Sequence, residues 1–356
     1  MKITFIIGSM TGGGAERVIS VLANSFANRG YDVSLLTIIE DNVSYELSPN
    51  IKYFANKSNE VQKFKRIKSR YNFTKRVLKE IKPDVLISFT TEINIYALIA
   101  SLGLNIKTII SERNDPYKDP PSKITRLLRN IIYYLSDWYV FQTEDAKAYF
   151  SKTIQNKGSI IPNPLKNNLP DRYKGIRKKE FVTVARLSKQ KNLKMLIDAF
   201  SMFCSEYKNY VLKIYGDGPL HDEIEDYIKK KGLSDQILLM GFVKDVHSYI
   251  IDASAFVLTS DYEGISNAML ESLAIGIPTI CTDCPAGGAK MFIESGVNGI
   301  LIPVKDTKAL YFAMKDVVSN VELAERMSRN SILIKDKLSE QKICSLWEEE
   351  IKNLFK

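Results

Sequence analysis

The sequence predicts an α/β fold of two Rossmann-like parallel-sheet domains in tandem, and three observations carry that prediction. The chain has 356 residues, more than a single hydrophobic core commonly fills. Short apolar runs alternate with helical stretches along nearly all of it, the pattern of a parallel sheet covered on both faces. The alternation also starts twice, at Lys2 and at Phe181, with a polar stretch running from Ile161-Pro162-Asn163-Pro164 to Lys179 between the two series.

The first series opens with a buried strand, Lys2 to Ile7, followed by the glycine-rich turn Gly8 to Glu16 and a helix, Arg17 to Arg29, closed by Gly30. Asp32 to Ile38 is the next strand. The glycine loop therefore sits at a strand's carboxyl end, where doubly wound folds bind phosphates. No Gly-Lys-Ser/Thr follows it, and the G-x-G-x-x-G spacing is not kept, so it is neither a P-loop nor a clear dinucleotide fingerprint. Strands follow at Val85 to Phe89, Thr108 to Ser111, Trp138 to Gln142 and Ser159 to Pro162, which places a first domain at 1–165.

The second series, at 175–337, runs from strand Phe181 to Ala185 through helix Leu193 to Tyr207, strand Val211 to Tyr215 and the turn Gly216-Asp217-Gly218-Pro219. Helix His221 to Lys231 and strands Ile237 to Met240, Ala255 to Thr259, Thr279 to Thr282 and Gly299 to Pro303 complete it. Two helices, Thr307 to Val318 and Leu338 to Phe355, are expected to end the chain.

Charge is uneven. The net charge is +9, and residues 1–170 hold 24 Lys+Arg against 15 Asp+Glu while residues 171–356 hold 26 of each. Within the basic half, segment 57–82 carries ten basic and two acidic residues interleaved with Phe64, Ile67, Tyr71 and Phe73. Such a segment suits anionic lipid headgroups; a solvated helix face is the plainer alternative, and no nucleic-acid motif accompanies the charge. The longest uncharged apolar stretch, Ile93 to Ile106, is 14 residues, short of the ~20 needed to span a bilayer, and reads as a core helix. No signal peptide is recognisable, so a cytoplasmic location is expected. Of the four cysteines, only Cys281 and Cys284 have metal-like spacing, without the second pair that a zinc site requires.

The chemistry concentrates in Asp261 to Gly276, DYEGISNAMLESLAIG. Glu263 falls in a loop, Ser266 or Asn267 caps a new helix, and Glu271 lies within that helix, which Gly276-Ile277-Pro278 ends. Free N–H groups at the helix start suit a phosphate, and carboxylates suit hydroxyls, so a polyhydroxylated phosphate ester is the ligand class implied. Surface glutamates would look the same in isolation. Arg186 and Lys191, at the carboxyl end of the second series' first strand, supply two cations able to hold a diphosphate and neutralise it as it departs, a task otherwise given to a metal ion.

TGGGAERV, VARLSKQKN, YGDGPL, GFV and EGISNAMLE, in this order, resemble the GT-B glycosyltransferases of family 4, over nearly the whole chain. ISERNDP and TDCPAGG resemble the bacterial subgroup that builds capsule, exopolysaccharide and other glycans on polyprenyl diphosphate. The resemblance implies the GT-B fold, with a cleft between its two domains and a last helix, within 338–356, that crosses back onto the first. It also implies transfer with retained anomeric configuration, from a nucleotide sugar that is most simply UDP-linked, with neither metal nor cofactor. Arg186 and Lys191 match the diphosphate grip and Glu263 the carboxylate beside the reacting carbon. Gly264, Ile265, Ser266 and Asn267 match the amides near phosphate and sugar, and Glu271 the ribose ligand. Gly216 belongs to a donor motif, Phe242 and Val243 fall where the base edge is read, and Gly12, Gly13 and Gly14 close over the donor. The acceptor implied is a lipid-linked saccharide, met by an enzyme peripheral on the inner face of the membrane. Many members carry a first-domain histidine near the sugar. This chain has only His221 and His247, both expected to be peripheral, and the comparable loop offers Glu112 and Arg113, which either act there or pack the cleft. A sugar-nucleotide epimerase, a nicotinamide-dependent oxidoreductase and a non-catalytic membrane scaffold are the alternatives. The last has no use for Arg186, Lys191, Glu263 and Glu271 together.

Overall fold

The computed structural model describes residues 1–58 and 60–356; Asn59, within the basic segment 57–82, lies outside them. The chain divides into two compact units, Met1–Pro164 with Glu340–Lys356, and Leu165–Ser339. Among the described residues each unit is built on one sheet, and every strand pairing in both sheets is parallel.

The first unit contains β1 (Lys2–Ile7), α1 (Gly14–Asn28), β2 (Asp32–Thr37), β3 (Lys52–Ala55), α2 (Lys63–Ile81), β4 (Val85–Phe89), α3 (Thr91–Ser101), β5 (Lys107–Ser111), α4 (Lys123–Ile132), β6 (Trp138–Phe141), α5 (Glu144–Ala148), α6 (Lys152–Asn156) and β7 (Gly158–Ile160). Strand order is β3-β2-β1-β4-β5-β6-β7. The chain steps from β1 to β2 in one direction and from β3 over to β4, β5 and β6 in the other. Right-handed crossovers therefore put α1 on one face and α2, α3 and α4 on the opposite one. With both faces covered, β4 is buried along its whole length and β1 at all but Lys2.

In the second unit follow β8 (Lys178–Val184), α7 (Leu193–Glu206), β9 (Val211–Tyr215), α8 (His221–Lys230), β10 (Ile237–Gly241), α9 (His247–Ile250), β11 (Ala253–Leu258), α10 (Asn267–Ala274), β12 (Thr279–Thr282), β13 (Ile300–Ile302), α11 (Thr307–Ser319), α12 (Val321–Ser331) and α13 (Ile334–Lys337). Strand order is β10-β9-β8-β11-β12-β13. Phe181, Phe200, Phe203, Ile214 and Val257 lie in the core where α7 and α11 cover the sheet. The last helix, α14 (Glu340–Asn353), belongs to the first unit. It packs on α1, with Trp347 fully buried and stacked on Phe89 at 5.5 Å between ring centroids, and Tyr31 donating to Glu348 Oε1 at 2.6 Å.

Edge strand β3 and the helices between α11 and α14 depart from the sequence expectation. Edge strand β3 was not foreseen, because Lys52-Tyr53-Phe54-Ala55 is short and only half-buried. The chain also does not end in two helices: α12 and α13 stand between α11 and α14. Asn320 makes that break, since its side chain accepts from Leu323 N at 3.0 Å and caps a new helix directly after α11. The apolar stretch from Ile93 is helical from Thr91 but stops at Ser101, where Gly103 takes a φ of +72°. No helix among the described residues is long and apolar enough to cross a membrane.

Candidate active site

In the second unit the chain leaves β8 towards β9 and β10 and later returns to β11 on the other side. The strand order reverses between β8 and β11, and a crevice at the carboxyl ends of such a pair is where open α/β sheets bind ligands. The loops leaving β8 and β11 are tied together there. Asp261 N donates to Gln190 O at 2.8 Å and Gln190 Nε2 to Tyr262 O at 2.8 Å. Asn192 Nδ2 donates to Asp261 Oδ1 at 2.8 Å, and Thr259 Oγ1 to Lys191 O at 2.9 Å.

This stitching brings Lys191 to Glu263. Its ammonium lies 2.7 and 2.6 Å from the two carboxylate oxygens, and Ser260 Oγ donates to Oε2 at 2.8 Å. The Glu263 backbone is pinned from behind, its N–H to Pro285 O at 2.6 Å and its carbonyl accepting from Ala286 N at 2.9 Å. Gly288 completes that wall: a Cβ there would stand 1.8 Å from Gly264 O. The TDCPAGG string thus acts as the support that aims Glu263. Arg186, the second residue after β8, is exposed and makes no ion pair among the described residues.

The loop after β9 packs against the same turn. Gly216 has a φ of +123°, and a Cβ on it would meet Ala185 O at 2.1 Å, so only glycine brings β9's end this close to Arg186. Gly216 N donates to Gly241 O at 2.8 Å, joining the loop that carries Phe242, which is exposed, and Val243, half-buried. Of the two caps the sequence left open, Ser266 is the one in place, its hydroxyl accepting from Met269 N at 3.4 Å, with Gly264, Ile265 and Asn267 around the same helix start.

Glu271, in α10, is buried and lies 2.8 Å from His247 Nε2. A carboxylate only accepts, so Nε2 carries the proton shared between them. The expectation that His247 is peripheral is thereby corrected: α9 turns its ring inward onto Glu271, while His221 does remain half exposed at the start of α8. No spacing rule links positions 247 and 271, and the contact arises only when α9 and α10 meet. Ser260 was missed for a related reason, being one hydroxyl among many until β11's end places it. Cys281 and Cys284 are buried free thiols. Burial first, and then the charge of Glu263, push the Cys284 thiol up to about 12, so it stays protonated. Among the described residues no group of three or more His, Cys, Asp or Glu side chains is placed to hold a metal ion.

In the first unit the glycine loop leaves β1 at the corresponding reversal, between β1 and β4. Gly12 has a φ of +124°, Gly13 caps α1 and accepts from Tyr45 OH at 2.9 Å, and Gly14 begins the helix. Glu112 turns into the core. Thr91 Oγ1 donates to it at 3.0 Å, Tyr133 OH also donates to it, and Arg129 Nη1 is 3.7 Å away; burial pushes its carboxyl upward against those three favourable partners. Arg113 lies over the Phe89 ring, 4.5 Å from its centroid, and donates to Ser111 Oγ at 3.3 Å and to Asn163 Oδ1. Burial lowers its pKa to about 9.

Two parallel-sheet units of this kind define the GT-B fold. Residues 12–166 match the family described as Glycosyltransferase Family 4 and residues 171–333 the family described as Glycosyl transferases group 1. An uncharacterized glycosyltransferase of Haemophilus influenzae is 26% identical over 97% of this chain and 98% of its own. The GalNAc-alpha-(1->4)-GalNAc-alpha-(1->3)-diNAcBac-PP-undecaprenol alpha-1,4-N-acetyl-D-galactosaminyltransferase of Campylobacter jejuni is 28% identical over 99% of this chain and 98% of its own. Among solved structures, HepE of Anabaena in complex with UDP and glucose shares the fold, with a TM-score of 0.83, 16% identity, and 99% and 100% of the two chains covered. The chain belongs to the family 4 glycosyltransferases.

Proposed function

We propose that this enzyme moves a hexose or N-acetylhexosamine from a UDP-linked sugar to a saccharide carried on polyprenyl diphosphate, with retention, in the synthesis of a bacterial polysaccharide or related glycan. The observation that carries the reading is the Lys191–Glu263 pair at the β8/β11 reversal, with Arg186 in the same connection as Lys191. The names of the Campylobacter relative, an N-acetylgalactosaminyltransferase acting on an undecaprenol-linked saccharide, and of HepE with UDP and glucose support the acceptor and donor classes.

In this reading Arg186 and Lys191 hold the diphosphate. An ammonium has three N–H groups, so Lys191 keeps its hold on Glu263 while donating to a phosphate oxygen. Glu263, oriented by Ser260, accepts from hydroxyls of the transferred sugar. The N–H groups from Gly264 to Asn267 face phosphate and sugar, Glu271 takes the ribose hydroxyls, and Gly216, Phe242 and Val243 line the nucleotide. Gly12, Gly13 and Gly14 of the first unit are assigned to the donor as well. Glu112 and Arg113 are assigned to packing. The bond from the anomeric carbon to the β-phosphate oxygen breaks, the acceptor oxygen bonds to that carbon on the same face, and the acceptor proton passes to the departing phosphate. The protein's work is to position the partners and stabilise the charge that develops on the leaving group. The basic segment 57–82 faces an anionic membrane on its cytoplasmic side.

The test is to incubate the enzyme with UDP-glucose, UDP-N-acetylglucosamine or UDP-N-acetylgalactosamine and a polyprenyl-diphosphate disaccharide, and to read the anomeric configuration of the product by NMR. Transfer with an α-linkage from an α-donor is expected. An inverted product overturns the mechanism, and epimerised UDP-sugar formed without acceptor overturns the transferase reading.

A further inference from the structure

Helix α4 wears its apolar stripe on the outside. In KITRLLRNII the apolar residues Ile124, Leu127, Leu128 and Ile131 recur at helical spacing, a pattern that ordinarily faces a core. Here they are 73%, 62%, 46% and 61% exposed, while Arg129 on the opposite side is fully buried at 0%. The buried charge fixes the orientation. Arg129 donates to Asp119 O at 2.9 Å and to Pro116 O at 2.8 Å, lies 3.7 Å from Glu112, and stands over the rings of Tyr149 and Phe150 at 4.8 and 5.2 Å. Rolling the helix to bury its leucines would strip Glu112 of its counter-charge inside the unit. Tyr134 and Leu135 extend the exposed stripe past the helix end.

The surroundings are cationic. Lys118 and Lys123 are exposed beside the stripe. On the same face of the sheet α3 packs against both α4 and α2, and the first turns of α2 expose Phe64 and Ile67 among Lys63, Lys65, Arg66 and Lys68. Both α2 and α4 begin at the strands' carboxyl-end edge, since they follow β3 and β5. A second copy of the chain pairing through this patch would be isologous and would set positive charge against itself. An anionic bilayer complements both features, because an amphipathic helix flanked by Lys and Arg lies in the headgroup plane with its apolar face down.

We propose that α4 is the apolar anchor of this enzyme on an anionic bilayer, with the start of α2 as its electrostatic partner. This deepens the membrane contact proposed above by moving the inserted surface from segment 57–82 to α4, and it is read without turnover, so its failure leaves the transferase assignment standing. The full-length chain is sedimented with vesicles of phosphatidylcholine, with and without phosphatidylglycerol, alongside a Leu127→Glu/Ile131→Glu variant and a Phe64→Ser/Ile67→Ser variant. Both altered pairs are exposed, and an unchanged melting temperature and circular dichroism spectrum verify the fold.

Binding that requires phosphatidylglycerol and falls about tenfold or more in the α4 variant supports the proposal, since burying two leucine-sized side chains contributes on that scale. Wild-type protein left in the supernatant, or an α4 variant that binds as wild type while the α2 variant does not, overturns it. So does a wild-type dimer in sedimentation equilibrium that the α4 variant dissolves, which would make a second copy the occupant.

Discussion

The ammonium of Lys191 spans both carboxylate oxygens of Glu263, at 2.7 and 2.6 Å, with side chains only 12% and 18% exposed. A charge pair this secluded costs desolvation that its partners must offset, and Ser260 Oγ, donating to Oε2 at 2.8 Å, supplies part of that. Changing Glu263 to Gln keeps the shape and removes the charge. Turnover is expected to fall by about 10² to 10³, the scale of one electrostatic catalytic contact, with UDP affinity retained. Lys191→Ala leaves the carboxylate without its ammonium, so both UDP affinity and stability should fall, the latter by roughly 1 to 3 kcal/mol, read by calorimetry.

His247 holds Glu271, the residue proposed above to take the ribose hydroxyls. His247→Ala is expected to raise the KM for the nucleotide sugar about tenfold with kcat little changed, the signature of lost uniform binding. His247→Gln, which keeps an N–H donor, should recover much of that loss. Equal kinetics in all three proteins would remove His247 from the donor site.

Gly216→Ala places a methyl group 2.1 Å from Ala185 O at a φ of +123°. The turn that carries Arg186 must then shift. Loss of UDP binding is expected, together with a lower melting temperature, whereas a variant that binds UDP normally would show that this turn does not shape the site.

Glu348 is held down to about 2 from an ordinary value of 4.5 by Lys352, Tyr31 and Arg29. A carboxyl depressed in the folded state contributes stability that is present above its unfolded pKa and is lost as pH falls through the folded one. Melting temperature is therefore expected to drop between about pH 5 and pH 2, and to drop less steeply in Glu348→Gln. Identical profiles would mean that the tie between α14 and α1 carries no such linkage.

Much of this was legible in the sequence because the fold rests on local patterns. Strands β1, β4, β9 and β12 were bounded to the residue by apolar runs between turn residues, and the turns read at 8–16 and 216–219 are where Gly12 and Gly216 take positive φ. What could not be read depends on contacts between elements distant in the chain. Lys191 and Glu263 were each singled out, but their direct pairing needs the two loops stitched by Gln190 and Asp261. His247 looked peripheral because nothing in its neighbourhood signals that α9 faces α10. The outward stripe of α4 was not read at all, because only Arg129, buried among Pro116 O, Asp119 O and Glu112, sets which side of that helix faces out.

The central claim is that Arg186 and Lys191 grip a nucleotide diphosphate, and the most direct measurement is the thermal shift of the full chain with UDP, in wild type and in Arg186→Ala. A ligand at a hundred times its dissociation constant adds about 2.7 kcal/mol to the folded state, so the wild-type second unit should melt roughly 5 °C higher, and the variant should show little of that rise. A UDP shift of the same size in both proteins would contradict the account, because the diphosphate would then be held by residues other than these.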